Sequence, residues 1–148
     1  MSKSIKKAGR RAARALILQI LYEIDVSSHH PADTLAYHLD EADLSHAQEG
    51  FVREMVLGTL KYEQELNQYI RDAASEWPLD QMAPVDRNIL RLALYELHYQ
   101  PNRPHQIVIN EAVQLAQVYG SDSSQRFVNG VLGALMKRNL QASAGVVS

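Results

Sequence analysis

PVDRNILRLALYEL, residues 84–97, is the stretch that decides the fold class. Val85, Ile89 and Ala93 fall on one helical line, and Leu90, Leu94 and Leu97 fall on another, so a helix here is apolar on more than one side. Such a helix must be enclosed by others, which makes it the expected central element of an all-α fold. Pro84 suits its first turn, where the missing N–H has no intrahelical partner to lose.

Toward the C-terminus, Pro101 and Pro104 bound a turn, and Ile109, Ala112, Val113, Ala116 and Tyr119 predict a sixth helix stopped by Gly120. Ser121 to Ser124 offers the next cap. Val128, Val131, Leu132, Leu135 and Met136 predict a seventh helix, in which Gly130 is expected to allow close packing.

Toward the N-terminus, Leu66, Tyr69, Ile70 and Ala73 predict a fourth helix closed by Trp77-Pro78. A break near Gly58 is expected to separate it from a third, which carries Phe51, Val52, Met55, Val56 and Leu60 and opens on the capping-box spacing of Ser45 and Gln48. A short helix is expected around residues 33–39, with Asp33 at its positive end. The first helix runs from about Gly9 to Val26 on a stripe of Ala13, Leu16, Ile17, Ile20, Leu21 and Ile24, and His29-His30-Pro31 ends it. One domain over residues 1–148 is expected, with 1–8 and 141–148 flexible; a chain near this size buries roughly 70% of its unfolded surface.

The chain has no cysteine, which excludes disulfides, thiolate metal sites and cysteine nucleophiles. The only signal-like segment, a basic start followed by Leu16-Ile17-Leu18, is interrupted by Gln19, Tyr22 and Glu23, and no run approaches the ~20 apolar residues of a membrane span. A cytoplasmic protein without a membrane association is expected. None of the six histidines forms HExxH or a pair three or four residues apart, and there is neither a phosphate loop nor a nucleophile elbow. Neither catalysis nor a metal or other cofactor is expected. Glu96 and the pair Asn110-Glu111 lie among apolar residues, where hydrogen-bonded structural roles outweigh acid–base ones.

Charge is unevenly distributed. Lys3, Lys6, Lys7, Arg10, Arg11 and Arg14 precede the first acid, Glu23, while the remainder carries nine basic against 17 acidic residues. At 100° per residue, Lys7, Arg10, Arg11 and Arg14 share an arc of about 100° beside the apolar stripe. Arginines at the positive end of a helix are mildly unfavourable unless an anion arrives, and a phosphate backbone supplies one. A solvated terminus is the competing reading of the same cluster. Single-stranded RNA adds base stacking, for which Phe127 beside Arg126, Tyr22 and Tyr69 are candidates; each has core packing as its alternative.

RRAAR (10–14), QILY (19–22), VDRNILRLALYEL (85–97), INEAV (109–113) and FVNGVL (127–132) together closely resemble the NusB family in order and spacing, from about residue 10 to residue 138. The resemblance implies seven helices in two packed three-helix subdomains. It also implies a transcription antitermination factor that binds single-stranded boxA RNA of ribosomal-RNA leader transcripts, pairs with the ribosomal protein NusE and joins an RNA polymerase antitermination complex. By position it assigns RNA binding to Arg10, Arg11 and Arg14, with Lys7, Gln19 and Tyr22 on the same helix, and to Phe127, Arg126, Ser123 and Arg91. Asp80 and Asp86 match acidic positions facing the ribosomal protein. Ala15 stands where many relatives carry glutamate, and Ser123 where some carry aspartate. The competing expectation is a pure protein-interaction module of the same fold, and the rRNA-methyltransferase reading lacks a glycine-rich cofactor motif.

Overall fold

The computed structural model describes the backbone of residues 2–147 and the side chains of residues 9–138. Among the described residues there are seven α-helices and no strand: α1 (Ser2–Val26), α2 (Pro31–Glu41), α3 (His46–Lys61), α4 (Glu63–Ala73), α5 (Pro84–Tyr99), α6 (His105–Tyr119) and α7 (Ser124–Val147). A 3-10 turn, Leu79–Gln81, lies between α4 and α5. The all-α expectation holds. The expected flexibility of 1–8 and 141–148 concerns residues outside those whose side chains are described.

Contacts divide the chain into two compact units, Met1–Tyr62 and Glu63–Ser148. The first is a three-helix unit. The second holds four α-helices, one more than the resemblance implied.

In the first unit, α1 packs on both α2 and α3. Ala13, Ile17, Ile20 and Leu21 of α1 are buried with Val52, Met55 and Val56 of α3, as the three-and-four spacing requires. Ser45 and Gln48 form the expected capping box: Gln48 N–H donates to Ser45 Oγ at 3.1 Å, and Ser45 N–H donates to Gln48 Oε1 at 3.0 Å. The break expected near Gly58 instead falls at Tyr62, whose N–H still donates to Gly58 C=O. A helical glycine costs only about 1 kcal/mol, less than the burial of Met55, Val56 and Thr59 on either side of it gains.

A carboxylate joins α1 to α2. His38 Nε2 lies 3.1 Å from Glu23 Oε1 and His29 Nδ1 lies 3.4 Å from Oε2. α2 begins earlier than expected because His30 Nδ1 accepts from Ala32 N–H and Pro31 occupies the first turn.

In the second unit, α5 packs against α4, α6 and α7, and Asn88 through Leu97 is buried without interruption. It is the central helix that its sequence predicts. Gly120 caps α6, its N–H donating to Ala116 C=O at 2.9 Å, and a Cβ there would lie 2.4 Å from that of Ser124. Gly130 differs from expectation: it is exposed, and an added Cβ would meet nothing within 4 Å.

Hydrogen bonding from His38, and more weakly from His29, holds the Glu23 carboxyl below its ordinary value of 4.5 against the opposing effect of desolvation. Folding therefore favours the ionised form, so the contribution is complete above about pH 4.5 and is lost as pH falls through the lower folded value. Glu23→Gln is expected to flatten that acid limb, read as the urea midpoint at several pH values between about 3 and 6. An unchanged acid limb would show that Glu23 contributes nothing to it.

Candidate nucleic-acid interface

Amphipathicity sets the solvent face of α1. Arg11, Gln19, Tyr22 and Val26 are exposed and fall within about 80° on the helix, with half-buried Ala15 in the same stripe. Arg10 is exposed as well. The face presents one guanidinium group, a side-chain amide and a tyrosine ring 40% exposed, before any acid enters the sequence, with the Arg10 guanidinium about 100° to one side. Lys7 belongs to α1, but its side chain lies outside the described residues.

Arg14 departs from the expected basic face. It lies on the helical wheel between Leu18 and Leu21, and it is only 4% exposed. Its guanidinium carbon sits 5.6 Å from the centroid of the Phe51 ring on α3, a cation–π arrangement within the first unit. Arg14 therefore joins helices where Arg11, about 60° away on the wheel, and Arg10, one turn earlier along α1, meet solvent.

In the second unit, the start of α7 gathers three of the expected residues. Ser123 and Arg126 are exposed and Phe127 is half-buried, its N–H donating to Ser123 C=O at 3.0 Å. Ser124 is fully buried and its Oγ accepts from Ser121 N–H at 2.9 Å, fixing the turn that enters the helix. The first turn of α7 carries no acid, so Arg126 stands at the positive end of a helix without internal compensation.

Arg91 and Asp86 are turned inward, correcting both expectations. Arg91 is 7% exposed; its Nε donates to Asn67 Oδ1 at 2.8 Å, and its Nη1 donates to Asn88 Oδ1 at 3.3 Å and lies 3.4 Å from Glu63 Oε1. It ties α5 to α4 and offers little to an external phosphate. Asp86 is 8% exposed, and its Oδ1 is buried without a hydrogen bond from the described residues. Its place in the first turn of α5 gives that charge the favourable end of the helix dipole. Asp80, in the 3-10 turn, is exposed as expected.

The other candidates fill structural places. Glu96 is 2% exposed and pairs with Arg103 at 3.1 Å, while Asn110 accepts from Gln106. Tyr69 stacks on His98 at 4.2 Å between centroids, so one face of that ring is already covered. Among the described residues, no group of three or more His, Cys, Asp or Glu is arranged to hold a metal ion, and no helix is long and apolar enough to cross a membrane.

The sequence marks Trp77 only as the end of a helix. It is 56% exposed, and its ring centroid lies 6.0 Å from that of Phe127 with the planes at 47°. The available signal was a lone tryptophan directly before a proline, which does not continue the helical stripe of Leu66, Ile70 and Ala73. α4 in fact stops earlier, at Ala73, leaving Trp77 in the connection.

The sequence model of the NusB family matches residues 11–137. The chain is 43% identical to transcription antitermination protein NusB of Roseiflexus castenholzii over 138 residues, spanning 92% of this chain and 97% of that protein. Among solved structures it is similar to T. maritima NusB, at 29% identity and a TM-score of 0.80, covering 86% of this chain and 90% of that one. It is also similar to a chain in the crystal structure of antitermination factors NusB and NusE in complex with double-stranded RNA. There the identity is 25% and the TM-score 0.79, over 87% of this chain and 96% of that one.

Arg91→Ala is expected to lower stability by about 1 to 3 kcal/mol, because Asn88 loses a donor in a buried setting and Asn67 loses one in a half-buried setting. RNA affinity of the folded fraction should be unchanged. Urea unfolding and a filter-binding titration check the two halves; wild-type stability with weakened RNA binding would return Arg91 to the RNA surface.

Proposed function

The chain belongs to the NusB family of transcription antitermination proteins, and on that premise we propose that it binds single-stranded boxA RNA of ribosomal-RNA leader transcripts together with the ribosomal protein NusE. It acts in the cytoplasm within an RNA polymerase antitermination complex. No bond is made or broken in this function. The protein supplies a positioned surface of charge and aromatic faces.

The observation that carries this reading is the exposed face of α1, where Arg11 shares a stripe with Gln19 and Tyr22, and Arg10, one residue before it, is exposed as well. Guanidinium groups take phosphate oxygens bidentately, and they are more weakly hydrated than ammonium groups, so exchanging water for phosphate costs them less. Gln19 and Tyr22 add hydrogen bonding and a ring face that an unpaired base can use. Arg126 and Phe127 offer the same pairing of charge and ring at the start of α7, with Ser123 beside them. Stacking on half-exposed rings requires unpaired bases, which favours a single strand over a duplex. NusE is the reading for the partner because exposed Asp80 lies in an acidic connection suited to a basic protein.

If Arg10, Arg11 and Arg126 each meet one phosphate, log affinity should fall with log salt at a slope of about −2, from ~0.7 per phosphate on a single strand. Replacing Arg10 and Arg11 together with alanine should flatten that slope to about −0.7. Titration of a boxA oligonucleotide at several salt concentrations measures both, and a slope near zero in the wild type rejects the phosphate mechanism. Phe127→Ala is expected to cost about 1 to 3 kcal/mol of RNA binding if its ring stacks on a base. Unchanged RNA affinity with a lowered melting temperature would make Phe127 a packing residue, and a duplex bound more tightly than the single strand would overturn the single-strand reading.

A further inference from the structure

Glycine is disfavoured inside a helix, yet Gly9 stands within α1 directly before the two exposed arginines, Arg10 and Arg11. Its surroundings give the reason. Gly9 is buried, and on the helical wheel it falls within about 80° of Ala13, Ile17 and Ile20, all fully buried. The side chains of this stripe shorten toward the start of the helix, from isoleucine through alanine to glycine, which lets α1 close on its neighbour at Gly9. That neighbour is the first turn of α3: a Cβ on Gly9 would lie 2.6 Å from Gln48 Nε2, closer than any ordinary van der Waals contact.

The half-buried Gln48 side chain is itself engaged. Its Oε1 accepts from Ser45 N–H at 3.0 Å, and Gln48 N–H donates to Ser45 Oγ at 3.1 Å, so the amide that meets Gly9 is held by the capping box of α3. Further along α1 the Arg14 guanidinium lies over the Phe51 ring, about one turn further along α3, and Ala13 beside it is fully buried. Arg10 and Arg11 are therefore bracketed by two residues seated on α3, Gly9 before them and Arg14 after them. A helix end frays where nothing holds its first turns, and a basic segment that must order itself on meeting RNA loses affinity to that ordering.

We infer that Gly9 is a positioning residue for RNA binding: it lets α1 lie directly on the capping box of α3, which secures the backbone on the N-terminal side of Arg10 and Arg11 and presents both guanidinium groups on a preformed helix. The inference rests on the function proposed above. The Ser45–Gln48 box, distant in sequence from these arginines, thereby acts on RNA affinity through Gly9.

Two measurements on the whole chain test it. Amide hydrogen exchange without RNA reads whether residues 10–14 are already held; slow exchange is expected in the wild type and fast exchange in Gly9→Leu. Titration of a single-stranded boxA oligonucleotide at several salt concentrations reads the consequence. Gly9→Leu should weaken binding about ten-fold and flatten the salt slope from about −2 toward about −0.7, as the loss of Arg10 and Arg11 from the interface requires. Helix propensity alone predicts the opposite sign, since leucine favours helix more than glycine does. Gln48→Ala should weaken binding about two-fold, and adding it to Gly9→Leu should return affinity to within about three-fold of the wild type, because leucine then fills the room the amide leaves. Gly9→Ala, with one carbon against the same amide, should weaken binding about two-fold and keeps the test decisive if Gly9→Leu folds poorly. Unchanged affinity and salt slope in folded Gly9→Leu or, where that does not fold, in Gly9→Ala would overturn the inference and leave the proposed function intact. A double variant that binds no better than Gly9→Leu, or fast exchange of residues 10–14 in the wild type, would overturn it in the same way. A wild-type chain that fails to bind the single strand would overturn the proposed function, and with it any part for Gly9 in RNA binding.

Discussion

A helix that is apolar on nearly every side leaves its few polar groups no water to bind, and α5 imposes that constraint on the second unit. Its burial from Asn88 to Leu97 draws in α4, α6 and α7, and it fixes the fate of each polar residue it carries. Asn88 Nδ2 donates to Pro84 C=O, Arg91 reaches Asn67 and Glu63 on α4, and Glu96 takes Arg103 from the turn before α6. An unpaired polar group at any of these places would cost several kcal/mol, comparable with much of a small domain's net stability. Arg91 and Glu96 therefore serve as ties between elements.

The same reasoning separates the arginines of α1. Successive basic residues along a helix advance by 100°, so a cluster in sequence spreads over faces with different neighbours. Arg14 comes to rest over Phe51 and contributes to the union of α1 with α3, while Arg10 and Arg11 keep their charge in water. Exposure is what makes a guanidinium available to a phosphate. Placement around and along the helix thus decides which charges are buried in packing and which stay exposed.

Charge also distinguishes two neighbouring parts of the second unit. The start of α7 has Arg126 and no acid in its first turn, whereas the connection after α4 carries Glu76 and Asp80 around an exposed indole. Phe127 and Trp77 touch where these meet.

Hydrophobic periodicity, the Ser45–Gln48 box, Pro84 and Gly120 made the helices and several of their ends legible from local rules, because each acts within a few residues of itself. The basic start and the family blocks pointed in the same way to the kind of ligand. Tertiary packing alone decided that Gly58 stays within α3, that Gly130 faces solvent, that Arg14, Arg91 and Asp86 turn inward and that Trp77 stays out. The physical reason is that a residue's chemistry is local but its exposure is not: desolvation depends on side chains brought from distant positions, and it determines whether a charge or a ring stabilises the fold or remains available to a partner.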